Sequence, residues 1–283
     1  MVWEAQMDLA RLPSLAADGY TVLRRFAGRR LLSELRHHVE LELLEPPTPG
    51  CERPHNRLVP LRWNNAIVDR ILSDPRHRDR VRDAAEARDL RWISGYISVK
   101  DPRTPPLWWH QDWWCWEHPV TFRRGTVQAA LVIYLSDTDT GTGALRVLPR
   151  THHASTDLHR LLPVDHAQEW DLDLDHDVFL DRVDQVTLDV AAGDAVLLDY
   201  RLLHGTHPNA SADRRDAILL SFTPDWDRLP DDIRGHLIQH FALPNDDEVV
   251  RHRPWYRELL PRFGGVRRDL PTDRRPPGHF ICA

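Results

Sequence analysis

The sequence predicts a mainly β protein with flanking helices, built on an antiparallel sandwich or jelly roll. Three observations carry this. Beyond residue 90, short apolar runs rich in β-branched residues recur at 92–99, 127–135, 145–148, 186–190, 195–198 and 217–222. Turn chemistry separates them, notably Asp139-Thr140-Gly141-Thr142-Gly143 and Ala192-Gly193-Asp194. No long amphipathic helix alternates with them, as a doubly wound parallel sheet would require.

Taken in order, residues 15–24 read as a helix end, a glycine turn and a short strand, and 29–44 carry apolar residues at helical spacing. The proline-rich stretch 45–60 reads as a loop. A helical stretch at 66–87 must break near Asp74-Pro75, because the residue before proline is pushed out of the helical region. The strands follow, interrupted at 151–182 by a His- and Asp-rich insertion long enough to be a lid or binding segment. After Trp226 a helical stretch to about Phe241 leads into a tail rich in Pro and Arg. At 283 residues the chain is read as one domain: a helical region at about 1–90, a β core at about 91–225 and a helical or irregular tail at about 226–283.

Composition narrows the partners. A net charge of −6 without a long basic run excludes a nucleic-acid polymer. The longest apolar run, 127–135, falls far short of the roughly 20 residues that span a bilayer. The N-terminus lacks the basic segment and apolar stretch of a signal peptide, so a cytoplasmic address is expected. Cys51, Cys115 and Cys282 are scattered and odd in number, which argues against a disulfide framework or a thiolate cage and leaves nitrogen and oxygen to hold any metal. Lys100 is the only lysine among 37 basic residues. It is either a chance survivor on the surface or a compact point charge where a guanidinium does not fit.

Within Trp108-Trp109-His110-Gln111-Asp112-Trp113-Trp114, an imidazole and a carboxylate lie two residues apart. In extended chain such residues share a face, so His110 and Asp112 can reach one ion. The third candidate is His204, which follows the run 195–198, 92 residues beyond Asp112. Two histidines and one carboxylate form the facial triad of non-haem iron(II) oxygenases, with open positions for cosubstrate and O2. Arg214 and Arg215 follow ten and eleven residues after His204, at the start of the next strand, where an arginine can hold a distal carboxylate.

These motifs resemble the phytanoyl-CoA dioxygenase-like branch of the 2-oxoglutarate oxygenases. The resemblance runs from Asp18-Gly19-Tyr20-Thr21-Val22 through Lys100, His110-Gln111-Asp112, Gly143-Ala144-Leu145-Arg146-Val147-Leu148-Pro149, Gly193-Asp194-Ala195-Val196-Leu197 and His204-Gly205-Thr206 to Arg215. It implies a double-stranded β-helix (jelly-roll, cupin-like) core, an iron(II) site made by His110, Asp112 and His204, and 2-oxoglutarate and O2 as cosubstrates. By family spacing it implies Arg215, with Arg214 as the alternative, for the salt bridge to 2-oxoglutarate. The two are adjacent on a strand, so only one can face the site. Thr206 matches a hydroxyl that binds the same carboxylate, and Lys100 resembles a lysine near the pocket entrance. Gln128 stands near the cosubstrate where relatives often have tryptophan, and as an amide on an apolar strand it needs a buried partner. Arg150 stands where the family usually has glycine, either lending charge to the substrate mouth or lying on the surface.

The expected reaction couples conversion of 2-oxoglutarate to succinate and CO2 with oxidation of an unactivated C–H bond in a small molecule of bacterial specialised metabolism. The related halogenases have a small residue in place of the carboxylate, so Asp112 favours hydroxylation over halogenation. Strand alternation would put Trp108, Trp114 and Trp116 on the ligand side, where they can stack on substrate or merely fill the barrel. His152 is close to a family motif and is expected at the rim, while His37, His38, His118, His153 and His207 read as solvated. Two other classes compete: a jelly-roll hydrolase or isomerase with a different metal, and a binding module that keeps the fold without turnover.

Overall fold

The computed structural model describes residues 12–45, 52–53, 56–162, 173–245 and 253–282. The signal-peptide reading, Cys51 and parts of the 45–60 loop and of the 151–182 insertion lie outside the described residues.

Ser14 accepts from the Ala17 amide and starts a single helical turn, α1 (Leu15–Asp18), which Gly19 ends before strand β1 (Tyr20–Leu23). Helix α2 (Arg29–Glu42) buries Leu35 and Val39, an i, i+4 pair on one face. The expected break comes at Asp74: α3 (Ala66–Leu72) stops before it, and Asp74 then caps α4 (Pro75–Ala84), with Pro75 in the first turn.

The structure differs from the loop expected at 45–60. Part of the 45–60 loop is strand: β2 (Glu52–Arg53) and β3 (Asn56–Leu61) form a small antiparallel pair. Pro60 is tolerated because β2 covers only Asn56 and Arg57, so at Pro60 the strand has a neighbour on one side only.

The remaining strands are β4 (Arg91–Lys100), β5 (Leu107–His110), β6 (Ala129–Tyr134), β7 (Leu145–Val147), β8 (Val186–Leu188), β9 (Ala195–Asp199), β10 (His204–Thr206) and β11 (Arg215–Thr223). They form a seven-stranded sheet, β1-β9-β6-β11-β4-β3-β2, facing a four-stranded sheet, β5-β10-β7-β8, with every pairing antiparallel. This is the double sheet of a jelly roll. Strands β5 and β10 are only four and three residues long.

Alternation along the large sheet decides what each face touches. Ala129, Leu131 and Ile133 of β6, with Leu197 and Ile218, pack outward against Leu35, Val39, Ile67 and Ile71 of the helices. Ala130, Val132 and Tyr134 point inward with Val196, Leu198 and Ala217 to meet Leu145, Val147 and Leu188 of the small sheet. Truncating one such residue, Ile133→Ala for instance, would cost about 2–5 kcal/mol. In β4 the register slips, so that Phe222 faces Trp92 and Ser221 faces Ser94, leaving Ile93 as a bulge. Trp92 joins the helical side, whereas Ile93 packs with Trp113, Trp114 and Trp226.

The tail closes one end. Helix α5 (Asp231–Leu237) buries Ile233 and Leu237, and α6 (Pro254–Leu259) sends Trp255 and Leu259 under the large sheet. Beyond it Asp273 zips onto the tryptophan segment: its amide donates to the Trp114 carbonyl at 2.7 Å and its carbonyl accepts from Trp116 at 3.3 Å. Arg201, wholly buried, holds Asp199 at 2.8 Å and donates to the carbonyls of Thr121, Arg123 and Gly125. No described helix is long and apolar enough to cross a membrane.

Candidate metal centre and active site

His110 and His204 meet because their strands pair. The residues are opposite each other across β5 and β10, with ring centroids 4.2 Å apart. Each Nδ1 lies 2.9 Å from the carbonyl two residues upstream, Trp108 for His110 and Leu202 for His204. A carbonyl can only accept, so both protons sit on Nδ1 and each Nε2 carries the lone pair that binds metals. His110 ends its strand. Asp112 lies just past it, anchored by its amide to the Tyr200 carbonyl at 2.9 Å. Its Oδ2 comes within 3.6 Å of His204 Nε2, and one donor atom from each of the three residues lies within 4.8 Å of the others. Two imidazole nitrogens and a carboxylate oxygen converging on one face suit a divalent transition ion.

Following β5 away from the centre in one direction leads past Thr206, opposite Leu107, to a cationic end. There Lys100 and Arg215 face each other across β4 and β11, both buried. Lys100 Nζ donates to the Pro105 carbonyl at 2.7 Å. Burial, then the charges of Arg215 and Arg146, pull its pKa down to about 7. The Arg215 guanidinium stands 5.7 Å over the Tyr134 ring, and its Nε has no acceptor. Burial disfavours its charge as well. Thr206 Oγ1 is likewise buried without a partner. Gly143, at φ 79°, lets the turn before β7 lie against this pair, since a Cβ there would come 2.6 Å from Lys100 Cδ and 3.6 Å from Arg215 Nε. Buried donors without acceptors are costly, so this end is built for an anion.

Arg214 is turned the other way. It is bound to Asp216 at 2.7 Å and Glu40 at 2.6 Å, outside the barrel. Lys100 is not a surface survivor but fully enclosed.

In the opposite direction the lining becomes neutral and polar. Trp114 Nε1 donates to Gln128 Oε1 at 3.1 Å, and Gln128 Nε2 donates to Ser221 Oγ at 2.7 Å. The amide thus has its buried partners, but not beside Arg215. Ser221 and Arg215 are six residues apart on β11, roughly 20 Å at about 3.4 Å per residue. Gln128 therefore lies toward the end away from the cations, one strand from Asp112, since its carbonyl accepts from the Tyr200 amide and the Tyr200 carbonyl accepts from the Asp112 amide. Tyr200 lies at the same level as Asp112, with its hydroxyl hydrogen-bonded to Ser221.

Trp108 is buried beside His110, ring centroids 6.0 Å apart, and meets Phe179 edge-on. Trp114 stacks on His236 at 4.3 Å. Three candidates are not brought to the centre. Trp116 packs on Phe280 at 5.0 Å, because the paired strand ends at His110 and its alternation does not carry on to residue 116. Arg150 is exposed, in a left-handed turn at φ 69°, which accounts for glycine being usual there. His152 is sealed under Gly19 instead of standing at the rim, and burial pulls its pKa to about 4. His207 is also buried, sharing a hydrogen bond with Thr187 Oγ1 at 2.8 Å, contrary to the solvated reading.

Sequence reasoning missed Tyr134 and Tyr200. Tyr134 is an inward position of an apolar strand, whereas Tyr200 lies in the turn just past β9.

The model of the phytanoyl-CoA dioxygenase family matches residues 16–217, from α1 into β11. The chain belongs to this family. Family membership brings iron, 2-oxoglutarate and O2 as the cofactor set of these oxygenases, and the donor set and the anion-seeking end both fit it. Over 134 residues the chain is 28% identical to a probable alpha-ketoglutarate-dependent hypophosphite dioxygenase of Stutzerimonas stutzeri. That match spans 47% of the chain and 45% of the relative, less than half of each. Among solved structures, HygX from Streptomyces hygroscopicus with nickel, 2-oxoglutarate and hygromycin B bound is similar at a TM-score of 0.54 and 21% identity, covering 74% of this chain and 84% of HygX. The non-heme alpha ketoglutarate dependent epimerase SnoN from nogalamycin biosynthesis is similar at 0.53 and 18%, covering 74% and 80%. At these identities the likeness establishes the shared jelly-roll fold.

Proposed function

We propose that this phytanoyl-CoA dioxygenase family member holds iron(II) through His110, Asp112 and His204, and oxidises an unactivated C–H bond of a small molecule, with hydroxylation as the outcome. The observation that carries the reading is the alignment of a His-Asp-His donor cluster with an acceptor-less buried guanidinium, Arg215, along one barrel axis. Arg215 would bind the far carboxylate of 2-oxoglutarate, with Thr206 and Lys100 beside it. Arg214, already engaged by two carboxylates, is the poorer candidate.

Iron(II) with 2-oxoglutarate and O2 supplies an oxidant strong enough to break such a C–H bond. The protein's share is positioning. The Trp108 and Leu202 carbonyls hold the two imidazoles in the metal-binding tautomer, and Asp112 provides the anionic donor. A carboxylate in that role leaves no position for halide, which favours hydroxylation over halogenation. The whole chain, 1–283, is taken to work as one oxygenase domain whose tail closes the barrel. The names of HygX and SnoN, tied to hygromycin B and nogalamycin biosynthesis, support a specialised metabolite as substrate.

The test is anaerobic addition of iron(II) and 2-oxoglutarate, read by the weak visible charge-transfer band of the chelate. The band should appear in wild type and vanish in His204→Ala. Absence in wild type, or persistence in that variant, would sink the reading.

A further inference from the structure

The strand that carries His110 lies at the edge of its sheet: β5 pairs with β10 on one side and with no named strand on the other. The insertion covers that free side. The Trp109 amide donates to the Val178 carbonyl at 2.7 Å, and the Trp109 indole nitrogen donates to the Leu180 carbonyl at 2.9 Å. Arg146 joins both pieces from β7, two strands away. It stands opposite Gly205 of β10, and its side chain crosses that strand to reach β5 and the insertion together. Nη2 donates to the Leu107 carbonyl at 3.2 Å and to the Phe179 carbonyl at 2.9 Å, and Nη1 meets Asp181 at 2.9 Å. The guanidinium lies 4.5 Å from the centroid of the Trp109 ring. Gly205 leaves room for the crossing. A Cβ there would come 2.8 Å from the Leu107 carbonyl oxygen, 2.9 Å from that of Trp108 and 3.3 Å from Arg146 Nε.

Sheet packing alone does not call for this residue. The Arg146 side chain is 1% exposed while that of its acidic partner Asp181 is 67% exposed, and burial disfavours the guanidinium charge. An apolar side chain would fill the same space at less cost, whereas a planar fork can hold two carbonyls and a carboxylate at fixed angles. One of those carbonyls belongs to β5 and the other to the insertion, and His110 is the next residue after Trp109. We infer that Arg146 is a positioning residue for the metal site: by clamping Leu107 and Trp109 to β7 and to residues 178–181, it fixes where the His110 imidazole stands relative to His204 and Asp112. This role rests on the metal site proposed above. It also gives the described part of the insertion a task, bracing the edge strand that bears a ligand.

Cobalt(II) is the probe, titrated by calorimetry into the full chain. Its half-saturation should rise by about tenfold or more in Arg146→Met, the loss usual when a group that orients a ligand is removed. Arg146→Lys restores the charge but not the fork, so it should recover little of that loss. Ile133→Ala, a destabilising change on the helical face of the large sheet, should bind cobalt(II) as wild type does. Wild-type affinity in either Arg146 variant, or an equal loss in Ile133→Ala, overturns the proposal; if Arg146→Met does not fold, Arg146→Lys decides. If wild type binds no cobalt(II), the metal reading itself fails, and the metal-free protein still judges Arg146. The downfield proton resonance of His110 Nδ1–H, which donates to the Trp108 carbonyl, is identified by its loss in His110→Ala. It should broaden or shift in Arg146→Met and stay in Ile133→Ala, and an unmoved resonance overturns the proposal.

Discussion

Lys100 and Arg215 stand opposite each other across β4 and β11, two buried cations that no ion pair joins to an acidic side chain among the described residues. The folded protein therefore keeps two like charges side by side in low dielectric, an arrangement that destabilises the ligand-free state and rewards a dianion.

The first prediction concerns Arg215→Met. Replacing an unpaired buried charge by an apolar side chain of similar length should raise the melting temperature of the ligand-free protein. Affinity for 2-oxoglutarate should fall by about 100-fold or more, in line with the roughly 2–5 kcal/mol carried by a buried charged pair. Melting curves and calorimetric titration check both. A variant that binds 2-oxoglutarate like wild type would assign the carboxylate elsewhere.

Lys100 gives a pH dependence. With its pKa near 7 in the free protein, it loses its proton as pH rises through 7, while a bound dianion would hold that proton on. Affinity for 2-oxoglutarate should then weaken above pH 7, by up to about tenfold per pH unit, with proton uptake measurable by calorimetry in buffers of different ionisation enthalpy. The stability of the ligand-free protein should move oppositely. The folded pKa lies below the ordinary 10.5, so the unfolded chain binds more protons between about 7 and 10.5, and stability rises with pH across that window. Lys100→Met should flatten both profiles.

Metal removal should be visible without turnover. Saturating iron(II) or cobalt(II) at 100 times its dissociation constant would stabilise the fold by about 2.7 kcal/mol, and EDTA should reverse this. In His110→Ala or Asp112→Ala the metal-induced rise in melting temperature should disappear, and elemental analysis should find less than a tenth of an equivalent. Retention of one full equivalent in either variant would break the three-residue assignment.

Arg150 offers a test confined to the backbone. At φ 69° an L side chain is strained by about 1–2 kcal/mol, and glycine is not. Arg150→Gly should stabilise the protein by about 1 kcal/mol after the entropy of the freer unfolded chain is subtracted, with 2-oxoglutarate affinity unchanged. Equal denaturation midpoints for the two proteins would mean the turn is not strained.

The apolar strands were legible because each reads as an apolar run between turns, and the helix break at Asp74 because the following proline enforces it. Strands β5 and β10 were not. They carry the histidines on stretches of three or four residues whose extension comes from pairing with each other and with β7. The same limit misdirected Trp116: alternation predicts a face only within the paired strand, which stops at His110. Gln128 was placed by resemblance near the cosubstrate; in the structure its side-chain amide is taken up by Ser221 and Trp114. Arg214 and Arg215 could not be separated by spacing. The structure distinguishes them by their neighbours, Asp216 and Glu40 for one and the Tyr134 ring for the other.

Asp273 fastens the last stretch of chain to the segment that follows His110, more than 50 residues after the family-matched region ends. Mutations there can accumulate without touching the strands that align the two imidazoles. A change that loosens this contact would therefore release the segment carrying Trp114 and Trp116 while the paired strands β5 and β10 keep the two imidazoles opposite each other.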